Sequence, residues 1–108
     1  MDYTLGGVAA AIQTWQLRQF GPADPAGVGR KLVEEALEVQ AAFEAGDKAH
    51  ASEEVADVFF LVLDCARACG MDWDWLAKVA KDKLVVNMRR TWCCGEDGRW
   101  SHTSEPGS

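Results

Sequence analysis

The chain has 108 residues, of which 48% are hydrophobic and 26% charged, a balance that fits a soluble globular fold and excludes intrinsic disorder as the main state. A net charge of -6 at pH 7 argues against a nucleic-acid polymer as the primary ligand, because binding to a phosphate backbone rests on clustered Lys and Arg. No apolar run approaches a membrane span and no basic region precedes an apolar core at the N-terminus, so a cytoplasmic protein without a membrane partner is expected.

Residues 4 to 20 carry Leu5, Val8, Ala9, Ile12, Trp15, Leu17 and Phe20 at largely helical intervals, and Gly21-Pro22 stops the pattern. Gly6-Gly7 predicts that ordered helix starts near Val8. Trp15 and Phe20 read as core or interface residues, with a stacking platform for a nucleobase as the sharper alternative for Trp15. Asp24 before Pro25 reads as an N-cap and first-turn proline of a second helix running to about Ala45, with Gly27 and Gly29 delaying its firm start to Arg30.

Residues 47 to 54 fit either a loop or the exposed first turns of a third helix. From Val55 to Leu63 almost no polar face remains, which implies burial on all sides in a bundle or at a subunit interface. Asp72 can cap a fourth helix reaching roughly Trp92, and the segment 95–108 reads as an extended or mobile tail after a domain of residues 1–94. The expected architecture is an all-α four-helix bundle. Because so small a domain is near the lower limit for building a core alone, a homo-oligomer is expected.

Cys65 and Cys69 lie four apart on one predicted helix and Cys93 and Cys94 are adjacent, so neither pair suits a disulfide framework. Zinc held by these thiols, with or without His102, lacks Cys-x-x-Cys spacing, and small buried or half-buried thiols are the plainer reading.

The chemistry concentrates in two acidic clusters. Glu34, Glu35 and Glu38 project within about one third of a helix circumference. Glu35 and Glu38 are i,i+3 neighbours, and Glu54 and Asp57 repeat that relation on the third helix. Packed antiparallel, the two helices direct four carboxylates into one small volume, where repulsion forces a proton onto one of them unless cations intervene. Mg²⁺ or Mn²⁺ suits an all-oxygen set, and two such ions can clamp a phosphate chain. His50 and His102 do not form the Glu-x-x-His pairs of a di-iron bundle. Asp57 stands among Val55, Ala56, Val58, Phe59 and Phe60, where an unpaired carboxylate would be costly to bury, so a partner or a cation is implied. Asp64, one heptad on, fits a supporting or a surface role. On the fourth helix Lys83, Asn87 and Arg90 form a stripe of donors suited to polyphosphate oxygens, although basic residues also complement a helix C-terminus.

Glu35-Ala-Leu-Glu38, a fifteen-residue spacer and Glu54-Val-Ala-Asp57 resemble the signature of the MazG-like, all-α nucleoside triphosphate pyrophosphohydrolases. Lys31-Leu-Val-Glu-Glu-Ala and Lys83-Leu-Val-Val-Asn87-Met-Arg-Arg-Thr-Trp92 fit the same family, and the similarity covers roughly residues 12 to 92. The resemblance implies hydrolysis of a nucleoside or deoxynucleoside triphosphate to the monophosphate. It implies two or more Mg²⁺ or Mn²⁺ ions on Glu35, Glu38, Glu54 and Asp57, and a homodimer or homotetramer with sites near subunit interfaces. Glu34 would support the ligands or orient the attacking water, and Lys31, Lys83, Asn87, Arg90 and Trp15 would bind substrate. Pyrophosphate release and stepwise dephosphorylation both fit, and a phage-type member acting on dGTP or GTP in the host cytoplasm is one substrate reading. The related phosphoribosyl-ATP pyrophosphohydrolases and a non-enzymatic helical or nucleotide-binding module are the alternatives.

Overall fold

The computed structural model describes residues 3–103. Among these residues four helices follow in order, α1 (Leu5–Phe20), α2 (Pro25–Glu44), α3 (Lys48–Ala68) and α4 (Trp73–Met88), and then two short strands, β1 (Trp92–Cys94) and β2 (Trp100–His102). The chain divides into two compact units, one ending at Leu76 and the other beginning at Ala77.

In the first unit each helix starts at a side chain that meets an otherwise orphaned N–H. Thr4 accepts from Gly7 N at 3.1 Å, Asp24 from Gly27 N at 3.3 Å and Asp47 from His50 N at 3.0 Å, while Asp72 accepts from Trp75 N at 2.9 Å. These caps move two starts earlier than the glycines predicted. α1 begins at Leu5, not near Val8, and α2 begins at Pro25, as the Asp24 cap predicts, without the delay to Arg30. Residues 48–54 are the first turns of α3. Gly6 has a packing reason to be glycine, since a Cβ there would lie 2.8 Å from Trp73 Nε1.

The turn between α2 and α3 is short because Ala45 caps α2 and Gly46 takes φ 72°, which lets Asp47 N reach Ala42 O at 3.1 Å. The two helices therefore fold back on one another along their length. α1 lies against α3, clipped by two amides: Gln13 Nε2 donates to Leu63 O and Met71 O, both at 3.3 Å, and Gln16 Nε2 donates to Phe60 O at 2.8 Å. Ala9, Ile12 and Leu63 form the core, with Val8, Phe59, Trp73 and Leu76 packed against it. Burying Leu63 in full contributes about 1.5–3 kcal/mol. Arg67 of α3 donates to Gly21 O and to Asp64, tying the α1–α2 turn to α3.

The over-apolar α3 is only partly covered in the single chain, with Val55 49% and Val62 38% exposed. In the second unit α4 stops at Met88, four residues short of the expected end at Trp92. Trp92 Nε1 instead donates to Asn87 O at 2.8 Å, occupying a terminal helix carbonyl, and the backbone passes into β1. β1 pairs antiparallel with β2, Cys93 opposite Ser101, so residues 95–103 of the expected tail form a turn and a paired strand. Residues 104–108 of that tail lie outside the described residues. All four cysteines are free thiols; Cys65 is half-buried, whereas Cys69, Cys93 and Cys94 are exposed, contrary to the buried or half-buried reading.

Candidate active site

The α2–α3 hairpin sets the carboxylates opposite one another. Glu38 and Glu54 each lie eight residues from Gly46, and Glu35 and Asp57 each lie eleven from it. One oxygen from each of Glu35, Glu38 and Glu54 falls within 4.8 Å of the others. Glu35 is 9% exposed and the Glu54 side chain 12%, and Oε2 of each is buried without a hydrogen-bond partner. Two buried, unsatisfied carboxylate oxygens facing a third carboxylate are costly unless a cation meets them, and an all-oxygen set fits a hard one.

Electrostatics register the crowding. Hydrogen bonding with Glu54 and Glu35, joined by the Glu35 charge and by burial, pushes the Glu38 carboxyl up to about 7. Burial acts to raise Glu35 too, but hydrogen bonds from Glu38 and Lys31 outweigh it and its pKa is lowered. Lys31 Nζ sits 3.3 Å from both Glu34 Oε1 and Glu35 Oε1, and these partners raise its pKa. Near pH 7 Glu38 is thus partly protonated and shares that proton with its neighbours, as expected of carboxylates too close to ionise together.

Asp57 lies outside this three-carboxylate group and is exposed in the single chain, so the burial argument made for it from its apolar neighbours does not hold. It lines, with Glu35 and Lys31, an adjoining cavity of about 540 Å³. The apolar part of that wall is Trp15, Phe20 and Phe60; the Trp15 ring meets Phe20 edge-on at 5.2 Å and Phe60 at 6.1 Å. Trp15 is 48% exposed, so it is a cavity residue and not core. Asp64, paired with Arg67, is on the same wall. Glu34 is exposed and engaged by Lys31.

Sequence reasoning missed two residues. Gln16 lines the aromatic cavity and is buried; its signal was a polar residue falling on the Ala9, Ile12 stripe. His50 Nε2 lies 3.5 Å from Glu54 Oε1, and both border a second cavity of about 500 Å³ together with Glu38. The i,i+4 spacing from His50 to Glu54 was its signal. In the second unit Arg90 lies beyond the end of α4, so it does not continue a helical stripe; its Nη1 donates to Asn87 Oδ1 at 3.1 Å. Lys83 is exposed on α4.

A family profile described as dATP/dGTP pyrophosphohydrolase matches residues 9–105. The chain belongs to the dATP/dGTP pyrophosphohydrolase family. Members of this MazG-like family are hydrolases of phosphoric anhydrides, which sets aside the non-enzymatic module. A dATP/dGTP diphosphohydrolase of cyanophage S-2L is 35% identical over 109 residues, spanning 100% of this chain and 94% of the relative. A dATP/dGTP diphosphohydrolase of Salmonella phage PMBT28 is 32% identical over 106 residues; the match spans 96% of this chain but 33% of that protein. Among solved structures, the cyanophage S-2L MazG-like pyrophosphohydrolase bound to dGDP and three catalytic Mn²⁺ ions per active site superposes with a TM-score of 0.71. It shares 33% identity, with coverage of 100% of this chain and 99% of that one. The four-helix fold agrees with that expected of a MazG-like protein.

Proposed function

We propose that this pyrophosphohydrolase hydrolyses dATP and dGTP to the monophosphates with Mn²⁺ or Mg²⁺, two or more ions per site. The observation that carries the reading is the convergence of Glu35, Glu38 and Glu54 within 4.8 Å, with buried unpartnered oxygens, beside an aromatic cavity of about 540 Å³. The cavity volume lies in the range of small-molecule sites. The phage relatives named for dATP and dGTP, and the dGDP and Mn²⁺ of the cyanophage structure, support the same substrate and cofactor.

In this reading Glu35, Glu38, Glu54 and Asp57 hold the cations. Divalent cations bound there supply the charge that neutralises a triphosphate and acidifies water for attack on phosphorus. Only the ionised Glu38 carboxylate is a ligand, so loading would displace the proton from whatever fraction of Glu38 still carries one. Lys31 holds Glu35 and Glu34 in place and offers an ammonium at the cavity wall for phosphate, while Glu34 orients water. Trp15, with Phe20 and Phe60, bounds a slot for the flat base. Lys83, Asn87 and Arg90 are proposed as further phosphate donors; Arg90 Nε, buried and unpartnered, is a donor without an acceptor. Residues 1–94 are proposed as the catalytic domain.

A homodimer or homotetramer is proposed, supported by the uncovered apolar residues Val33, Leu37, Phe43 and Val55, each about half exposed or more. No helix among the described residues is long and apolar enough to cross a membrane, and the phage relatives favour action in the host cytoplasm. The test is a panel of ribo- and deoxynucleotides with Mg²⁺ and with Mn²⁺, products separated by chromatography. The expected result is dAMP and dGMP with pyrophosphate, lost in Glu35→Gln while circular dichroism stays unchanged. Inactivity across the panel with a folded, metal-loaded protein would overturn the reading.

A further inference from the structure

We propose that Gln16 reads the base: its side-chain carbonyl oxygen accepts an N–H from the purine edge and so selects purines that carry such a donor over purines that have none. The inference rests on the reading that the aromatic cavity holds the base. Gln16 is 2% exposed and belongs to the wall of that cavity with Trp15, Phe20 and Phe60. Its amide orientation is fixed by chemistry, because the Phe60 carbonyl at 2.8 Å can only accept, so the atom facing it is the amide nitrogen. Oε1 is then the half left over, and it is buried with no hydrogen-bond partner.

An orphaned buried acceptor is unfavourable, and its place on the Ala9, Ile12 stripe is one that an apolar side chain would fill without that penalty. A ligand donor offsets it. Gln13, one turn earlier on α1, carries the same amide, yet its nitrogen clips Leu63 O and Met71 O and it takes no part in this cavity. Adenine offers its 6-amino group, and guanine its N1–H and 2-amino group. A purine with hydrogen at both exocyclic positions offers no N–H at all.

A site built around a buried acceptor discriminates strongly against a ligand that leaves it unpaired. The experiment compares kcat/KM, with Mn²⁺, for dATP and for purine 2′-deoxyriboside triphosphate, in the wild-type protein and in Gln16→Met. The expected wild-type result is a loss of about tenfold or more when the amino group is removed. Gln16→Met is expected to turn over the two substrates with similar efficiency. Equal wild-type efficiency on the two substrates overturns the proposal even where Gln16→Met fails to fold. A Gln16→Met protein that lowers both efficiencies but keeps their ratio also overturns it, assigning Gln16 to the α1–α3 contact alone. Failure of the wild-type protein to hydrolyse dATP and dGTP is a separate outcome, which removes the nucleotide reading and this proposal with it.

Discussion

Lowering the pH from 8 to 6 is expected to weaken Mn²⁺ binding about tenfold through Glu38 alone. With its carboxyl pushed up to about 7, Glu38 is about nine tenths ionised at pH 8 and about one tenth at pH 6. Only the ionised form is a ligand, so apparent affinity follows that fraction. Loading at pH 6 should release about one proton and loading at pH 8 about a tenth of one. Isothermal titration of Mn²⁺ into metal-free protein, in buffers of different ionisation enthalpy, reads both quantities. The metal-free protein should respond in the opposite direction. A carboxyl whose pKa is raised on folding stabilises the fold below its ordinary value of 4.5, and that contribution is lost as pH climbs through about 7. Its Tm should therefore fall relative to Glu38→Gln over that window. An affinity that is flat between pH 6 and pH 8, with no proton release, would refute the shared-proton account of the cluster.

Arg67→Met is expected to destabilise the fold by about 3 kcal/mol in urea denaturation, because it leaves the nearly buried Asp64 carboxylate and Gly21 O without their donor. Since Asp64 also lines the aromatic cavity, KM for dATP should rise in the same variant. Leu63→Ala should lower stability by about 2–5 kcal/mol with an unchanged m-value, as Leu63 is 0% exposed between Ala9 and Ile12.

The helices were legible where periodicity and caps agreed, as at Asp24-Pro25 and Asp72. Gly6-Gly7 misled because propensity carries no information about Trp73, the ring that needs the space. The end of α4 was lost for a related reason: Val85, Val86 and Trp92 continue an apolar pattern, whereas the i,i+3 bonds from Arg89 N to Val86 O and Arg90 N to Asn87 O, with the Trp92 indole bond to Asn87 O, show where the helix stops. The hairpin had a signal in Asp97-Gly98, with Gly98 at φ 85°, outweighed by the polar composition around it. At the site, i,i+3 spacing identified Glu35, Glu38 and Glu54, which the fold brings together. Asp57 was argued from burial that single-chain packing does not provide, and the Gln16 acceptor could emerge only from tertiary contacts.

The fifteen residues between the two acidic pairs act as a ruler folded at Gly46. One residue inserted between Ala51 and Glu54 would swing Glu54 and Asp57 about 100° around α3 and dismantle the cluster while leaving every acidic residue present. Two whole turns added to each arm would restore both facing and height. The permitted spacer lengths are therefore quantised, and a search for distant kin that lets the gap vary freely would admit chains that spell the motif without being able to assemble it.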